Sequence, residues 1–135
     1  MKPNILFLFA DQHRHDILGC AGHPLVQTPN IDAIASEGVH FTKTWCQSPI
    51  CQPSRASVIT GRYAHEIGVT HNTGGFDPEW PTVMKQLQVA GYDTATIGKT
   101  HYHESYQPPK ADGEIDMRSK EGFVKSFGWD YVLEE

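Results

Sequence analysis

Cys51-Gln52-Pro53-Ser54-Arg55-Ala56-Ser57-Val58-Ile59-Thr60-Gly61-Arg62 places a cysteine at the start of a short helix. Pro53 suits the first helical position, where its missing N–H costs nothing. Gly61 suits the residue past the end. The thiol of Cys51 then lies where unbonded backbone N–H groups and the positive end of the helix dipole gather. Arg55, four residues on, is about one turn away and can point at whatever residue 51 carries or binds. A nucleophile, N-terminal donors and a fixed cation together form an oxyanion site. A cysteine taken alone is more often a small buried hydrophobe or half of a disulfide. The helix signals around it do not depend on the thiol, and they favour function.

Upstream of this helix, Ile5-Leu6-Phe7-Leu8-Phe9-Ala10 is a continuous apolar run of strand length, as expected for a parallel strand covered on both faces. Asp11 follows at its carboxyl end, and a polar, His-rich loop runs from Gln12 to Gln27. Thr28-Pro29-Asn30 opens a helix with Thr28 as N-cap, Ile31, Ile34 and Ala35 as its apolar stripe and Gly38 as its stop. Val39 to Cys46 reads as a strand with imperfect alternation. Downstream, Val83, Met84, Leu87 and Ala90 predict a helix from about Pro81 to Ala90, stopped by Gly91. Tyr92 to Ile97 reads as a strand running into Gly98-Lys99-Thr100-His101. His103 to Glu121 reads as a polar loop, and Phe123 to Leu133 carries no clear signal.

Strand, helix, strand, helix, strand is an α/β pattern with a mostly parallel sheet flanked by helices. Sites in such folds form beyond the carboxyl ends of the strands. Asp11 and the Lys99–His101 segment hold that position, and the Cys51 helix is expected to join them in one cleft.

The chain has 135 residues, enough for one domain, and a net charge of −5 with no basic run. That balance excludes nucleic acid as an expected partner. An anionic substrate must then be held by a few placed cations. Three cysteines, Cys20, Cys46 and Cys51, show no zinc spacing and suggest no disulfide framework. The six-residue apolar run is too short for a signal-peptide core or a membrane span, so the expectation is a cytoplasmic protein with no membrane partner.

The segment C-x-P-S-R followed by a helix and T-G-R closely resembles the signature of the type I sulfatases, a formylglycine-dependent family of the alkaline-phosphatase-like superfamily. Thr28-Pro29-Asn30-Ile31-Asp32, Glu37-Gly38-Val39-His40-Phe41 and Gly98-Lys99-Thr100-His101, the last similar to the family's G-K-W-H, extend the resemblance over about the first hundred residues. It implies that Cys51 is oxidised after synthesis to formylglycine, whose hydrate is the nucleophile, with a formylglycine-generating enzyme as partner. It implies a divalent cation, Ca²⁺ or else Mg²⁺ or Mn²⁺, held by Asp11, Gln12 and residue 51. Gln12 stands where the family usually has a second Asp. Arg55 and the metal would favour ionisation of the nucleophile. Lys99 would hold sulfate oxygens, and His101 would orient or deprotonate a hydroxyl. The implied activity is hydrolysis of a small-molecule or saccharide sulfate ester, releasing inorganic sulfate.

Members of the family are several times longer, and their remaining metal ligands come from later segments. Nothing after His103 matches those ligands. Residues 1–135 are therefore expected to form the N-terminal part of a catalytic domain, with 1–103 matching and 104–135 unassigned, and to have little activity alone. Gln12 leaves open a phosphonate monoester or phosphodiester hydrolase on the same scaffold. The short length leaves open an inactive domain that binds anions or a partner chain. The histidines His13, His15, His23, His40, His65, His71 and His103 read as solvated loop residues. Asn72 and Thr73 stand near the expected mouth without an assigned role.

Overall fold

A computed structural model describes residues 2–73, 77–102 and 120–133. The chain divides into two compact units, Met1–Trp45 and Cys46–Glu135.

In the first unit, two 3-10 turns, His15–Ile17 and Gly19–Ala21, precede helix α1, Pro29–Glu37. Pro29 occupies the first helical position and Gly38 follows the last, as the sequence predicts. Thr28 is the N-cap residue, but its hydroxyl does not cap the helix. It donates instead to Asp32 Oδ1 at 2.7 Å and accepts from the Gly19 N–H at 2.8 Å. Asp32 Oδ1 also accepts the Cys20 N–H at 2.7 Å. This knot ties the second turn to α1. The Thr28 hydroxyl above all, with the Cys20 N–H, holds the Asp32 carboxyl below its ordinary pKa, against some desolvation. A Cβ at Gly19 would stand 2.3 Å from Asp32 Oδ2, so only glycine fits there.

Two expected strands are not formed. Residues 5–10 are extended but unladdered, with Ile5 61% and Leu6 82% exposed. Val39 to Cys46 is likewise irregular, and Val39, Phe41 and Trp45 are exposed. A central parallel strand needs hydrogen-bonding neighbours on its edges and helices on its faces. The described residues of the first unit include no strand to supply them. The expected loop from Gln12 to Gln27, in turn, contains the two 3-10 turns.

In the second unit, helix α2 is Cys51–Thr60, α3 is Val83–Val89 and β1 is Ala95–Ile97. Helix α4, Lys120–Lys125, and β2, Tyr131–Leu133, follow; α4 begins inside the expected loop His103–Glu121, and the rest lies in the stretch from Phe123 that had no clear sequence signal. The expected loop from His103 lies largely outside the described residues. Helix α3 starts later than expected because Thr82 is its N-cap, accepting the Lys85 N–H at 3.2 Å, and Ala90 is its C-cap. The core is Ala56, Ile59, Ile67, Val69, Met84, Tyr102, Val124 and Phe127. The Phe127 ring meets Tyr102 at 4.9 Å and the edge of Phe123 at 5.2 Å between centroids, favourable aromatic geometries.

Strands β1 and β2 pair in parallel, Ala95 opposite Tyr131, Thr96 opposite Val132 and Ile97 opposite Leu133. A polar clasp sets this register. Asp130 Oδ2 accepts the Thr94 N–H at 2.7 Å and the Thr94 hydroxyl at 2.8 Å, while Gln88 donates to Oδ1 at 2.7 Å. Gly128, at φ 102, lets the chain pass Lys85; a Cβ there would lie 2.7 Å from the Lys85 nitrogen. Among the described residues no helix is long and apolar enough to cross a membrane.

Candidate active site

The site residues of the second unit are organised by α2. Cys51 is the first helical residue and Ile50 the N-cap, whose aliphatic side chain makes no capping bond. Pro53 is thus the third helical residue, not the first. It still lies within the turn where N–H groups have no helical acceptor, which is why it is tolerated. Gly61 closes the helix in the left-handed conformation at φ 68, with its N–H on the Ser57 carbonyl at 2.9 Å. None of the three cysteines is in a disulfide.

Arg55 is one turn along from Cys51 and only 8% exposed. Its guanidinium donates through one nitrogen to the main-chain oxygen of Lys99. That contact uses one of five N–H donors. It joins two of the expected site residues across 44 positions of sequence.

The segment carrying Lys99 and His101 is not a strand, as it was expected to be. β1 ends at Ile97, the Gly98 N–H closes on the Leu133 carbonyl at 2.8 Å, and Gly98 then turns at φ 89. Burial nevertheless alternates. Thr100 and Tyr102 are buried, Lys99 is exposed and His101 half-buried, with its Nδ1 buried. His101 has φ 56, a left-handed conformation costly for a residue with a Cβ. Strain of this kind, worth roughly 1–3 kcal/mol, persists only where neighbours impose it, and it gathers at functional sites.

The first turn of α2 has a partner the sequence did not single out. The Gln52 N–H donates to Asn72 Oδ1 at 2.9 Å. The buried Val69 and Ile67 anchor the segment that delivers Asn72.

Asp11 and Gln12 lie in the first unit, exposed, in a bend where Gln12 has φ 41. No group of three or more His, Cys, Asp or Glu side chains gathers among the described residues. Calcium takes six to eight oxygen ligands. One carboxylate and one carboxamide do not amount to such a site.

A helix that opens on a cysteine carries a buried arginine one turn on, and that arginine is tied to the segment of Lys99 and His101. The Sulfatase family profile matches residues 3–135. The chain is 44% identical over 100 residues to an N-acetylglucosamine-6-O-sulfatase of Bacteroides thetaiotaomicron, covering 74% of this chain and 18% of that protein. It is 41% identical over 100 residues to an ulvan-active sulfatase of Formosa agariphila, covering 74% and 20%. A solved structure of a protein in complex with its substrate D-glucosamine-2-N,6-O-disulfate superposes with a TM-score of 0.74 at 42% identity, covering 79% of this chain and 22% of that one. This chain belongs to the sulfatase family, and its fold is the incomplete α/β, alkaline-phosphatase-like fold of that family. It spans about a fifth of the length of the curated relatives it matches.

Proposed function

We propose that residues 1–135 supply the nucleophile-bearing, N-terminal part of a catalytic domain that hydrolyses sulfate esters of saccharides and releases inorganic sulfate. The observation that carries this reading is the bond from Arg55, on the helix that opens on Cys51, to the main chain of the segment that bears Lys99 and His101. Similarity to an N-acetylglucosamine-6-O-sulfatase, and to a protein solved with a disulfated glucosamine, supports a sulfated amino sugar as substrate. The phosphonate alternative is less favoured: a phosphonate monoester hydrolase of Agrobacterium radiobacter superposes with a TM-score of 0.70 but at 28% identity, against 42% for the protein solved with the disulfated glucosamine.

Formylglycine, made from Cys51 by a generating enzyme, would supply a hydrated aldehyde with one hydroxyl to attack sulfur and a second to permit release of sulfate. The start of α2 favours negative charge at position 51 by about 0.3–1 kcal/mol through its dipole. Arg55, immobilised by its bond to Lys99, adds a cation that need not reorganise during the reaction. The exposed Lys99 ammonium is a compact charge for sulfate oxygens. His101 is suited to exchange a proton with the leaving alcohol near neutral pH. A divalent cation is part of the reading, with Asp11 and Gln12 as two of its ligands. These two do not fit the ion unaided, so the chemistry described here rests on the side chains of the second unit.

The test is inorganic sulfate released from glucosamine-6-sulfate by the whole catalytic domain that contains residues 1–135. Release that Cys51→Ala abolishes supports the reading. Release unaffected by Cys51→Ala, or no release at all, overturns it.

A further inference from the structure

We propose that Asn72 is a positioning residue for the nucleophile at position 51, acting through the Gln52 amide; this rests on the hydrolytic reading above. A helix leaves its first N–H groups without helical acceptors, and a side chain at the N-cap usually takes one. Here the N-cap is Ile50, which makes no side-chain capping bond. The cap comes instead from 20 residues downstream, where Asn72 Oδ1 accepts the Gln52 N–H at 2.9 Å. Pro53 has no N–H, and the Ser54 N–H is already on the Ile50 carbonyl at 3.0 Å. An anion at the start of α2 therefore finds none of the amides of residues 52–54 available. The helix end contributes its dipole there, and the substrate's charge falls to side chains.

The peptide linking residues 51 and 52 is planar, so fixing the Gln52 N–H direction fixes that plane. The plane in turn fixes the ψ angle of residue 51 and the direction in which its side chain leaves the backbone. The Gln52 side chain is fully buried, which holds the same peptide from its other end. Asn72 is itself held. After Gly61 the chain turns, the Val69 N–H returns to the Ala64 carbonyl at 2.9 Å, Gly68 sits at φ 73, and Val69 and Ile67 insert into the core. The segment thus runs back along a helix about 15 Å long and ends at its N-terminus. Asn72 is exposed, so its role is not the filling of a core.

The experiment compares Asn72→Ala and Asn72→Asp with the unsubstituted chain, each in the whole catalytic domain that contains residues 1–135. It reads kcat and KM on glucosamine-6-sulfate, normalised to the fraction converted at position 51, together with hydrogen exchange of the Gln52 amide. Asn72→Ala is expected to lower kcat by about 10- to 100-fold, as a misplaced reacting group does. KM should stay within about twofold, and Gln52 protection should fall about tenfold or more. Asn72→Asp keeps the acceptor, so kcat and protection are expected to return to near the unsubstituted values. KM rises, because a carboxylate now faces an anionic substrate. Unchanged kcat and protection in Asn72→Ala overturn the proposal. So does Asn72→Asp losing as much kcat as Asn72→Ala, which would mark a merely structural residue. Should Asn72→Ala fail to fold, Asn72→Asp decides alone: retained kcat with raised KM supports the proposal, and lost kcat overturns it. If the unsubstituted chain releases no sulfate, the functional reading fails on its own. Exchange at Gln52 then decides the cap: protection lost in Asn72→Ala and kept in Asn72→Asp supports it, and any other pattern overturns it.

Discussion

The Arg55 guanidinium is bonded to the main-chain oxygen of Lys99, so the arginine one turn along from Cys51 also holds the segment that carries Lys99. Losing Arg55 therefore has two effects. Arg55→Ala is expected to lower kcat/KM for a sulfate ester at least 100-fold by removing positioned charge. It is also expected to destabilise the fold by about 1.5–3 kcal/mol, the range for a hydrogen bond to a charged group. Arg55→Lys keeps a charge but not the planar fork, so its activity should fall between the two. Steady-state kinetics and denaturant midpoints check both effects. A loss of activity with no loss of stability would contradict the shared role.

Gly19→Ala forces a Cβ to within 2.3 Å of Asp32 Oδ2 and must break the knot that ties the 3-10 turn to α1. A loss of about 1–3 kcal/mol follows, typical of steric overpacking. Chemical denaturation measures the loss, and faster exchange of the Cys20 amide localises it. Substitution at the unobstructed, exposed Ser36 is the control, with an expected change within about 0.5 kcal/mol.

Stability should depend on pH through Asp130. The Thr94 N–H first, and then its hydroxyl and Gln88, hold the Asp130 carboxyl below its ordinary pKa. A depressed folded-state pKa means stability that is present above the unfolded value, about 3.9 for Asp, and lost as pH falls through the folded one. The unsubstituted chain should therefore exceed Asp130→Asn in stability at pH 7, and the gap should narrow below about pH 4. Unfolding midpoints at a series of pH values test this. A gap that stays constant down to pH 2 would contradict the assignment.

In the proposed reading Lys99 holds the anion and His101 moves a proton, so Lys99→Ala should chiefly raise KM and His101→Ala chiefly lower kcat. His101→Gly offers a further contrast. It relieves the positive φ at that position and should be the more stable of the two variants while equally impaired in kcat. Equal stability of His101→Ala and His101→Gly would argue against strain there.

The helices before residue 91 were legible because their signals are local. Pro29, Gly38, Gly61 and Gly91 punctuate helices through their own backbone preferences, and the spacing of Val83, Met84 and Leu87 survives in α3. Cys51 and Arg55 lie within one turn, so their proximity follows from the helix itself. The expected strands at residues 5–10 and 39–46 failed because a parallel strand depends on partners far away in sequence, and apolar composition says nothing of whether they are present. The Arg55 contact was illegible for another reason: its acceptor is a backbone oxygen, which any residue at position 99 would offer. Asn72 was seen but given no role, since a loop residue 20 positions from its partner has no periodicity to betray it. The alternation of Lys99 and His101 was legible, although the strand assumed to produce it ends at Ile97.

The central claim is that residue 51 is the nucleophile of a sulfate ester hydrolase. The most direct measurement is the mass of the peptide containing position 51, taken from the protein purified from the cells that make it. The account predicts an aldehyde, with sulfur exchanged for oxygen and two hydrogens lost relative to the thiol. A peptide carrying only unmodified cysteine would contradict it.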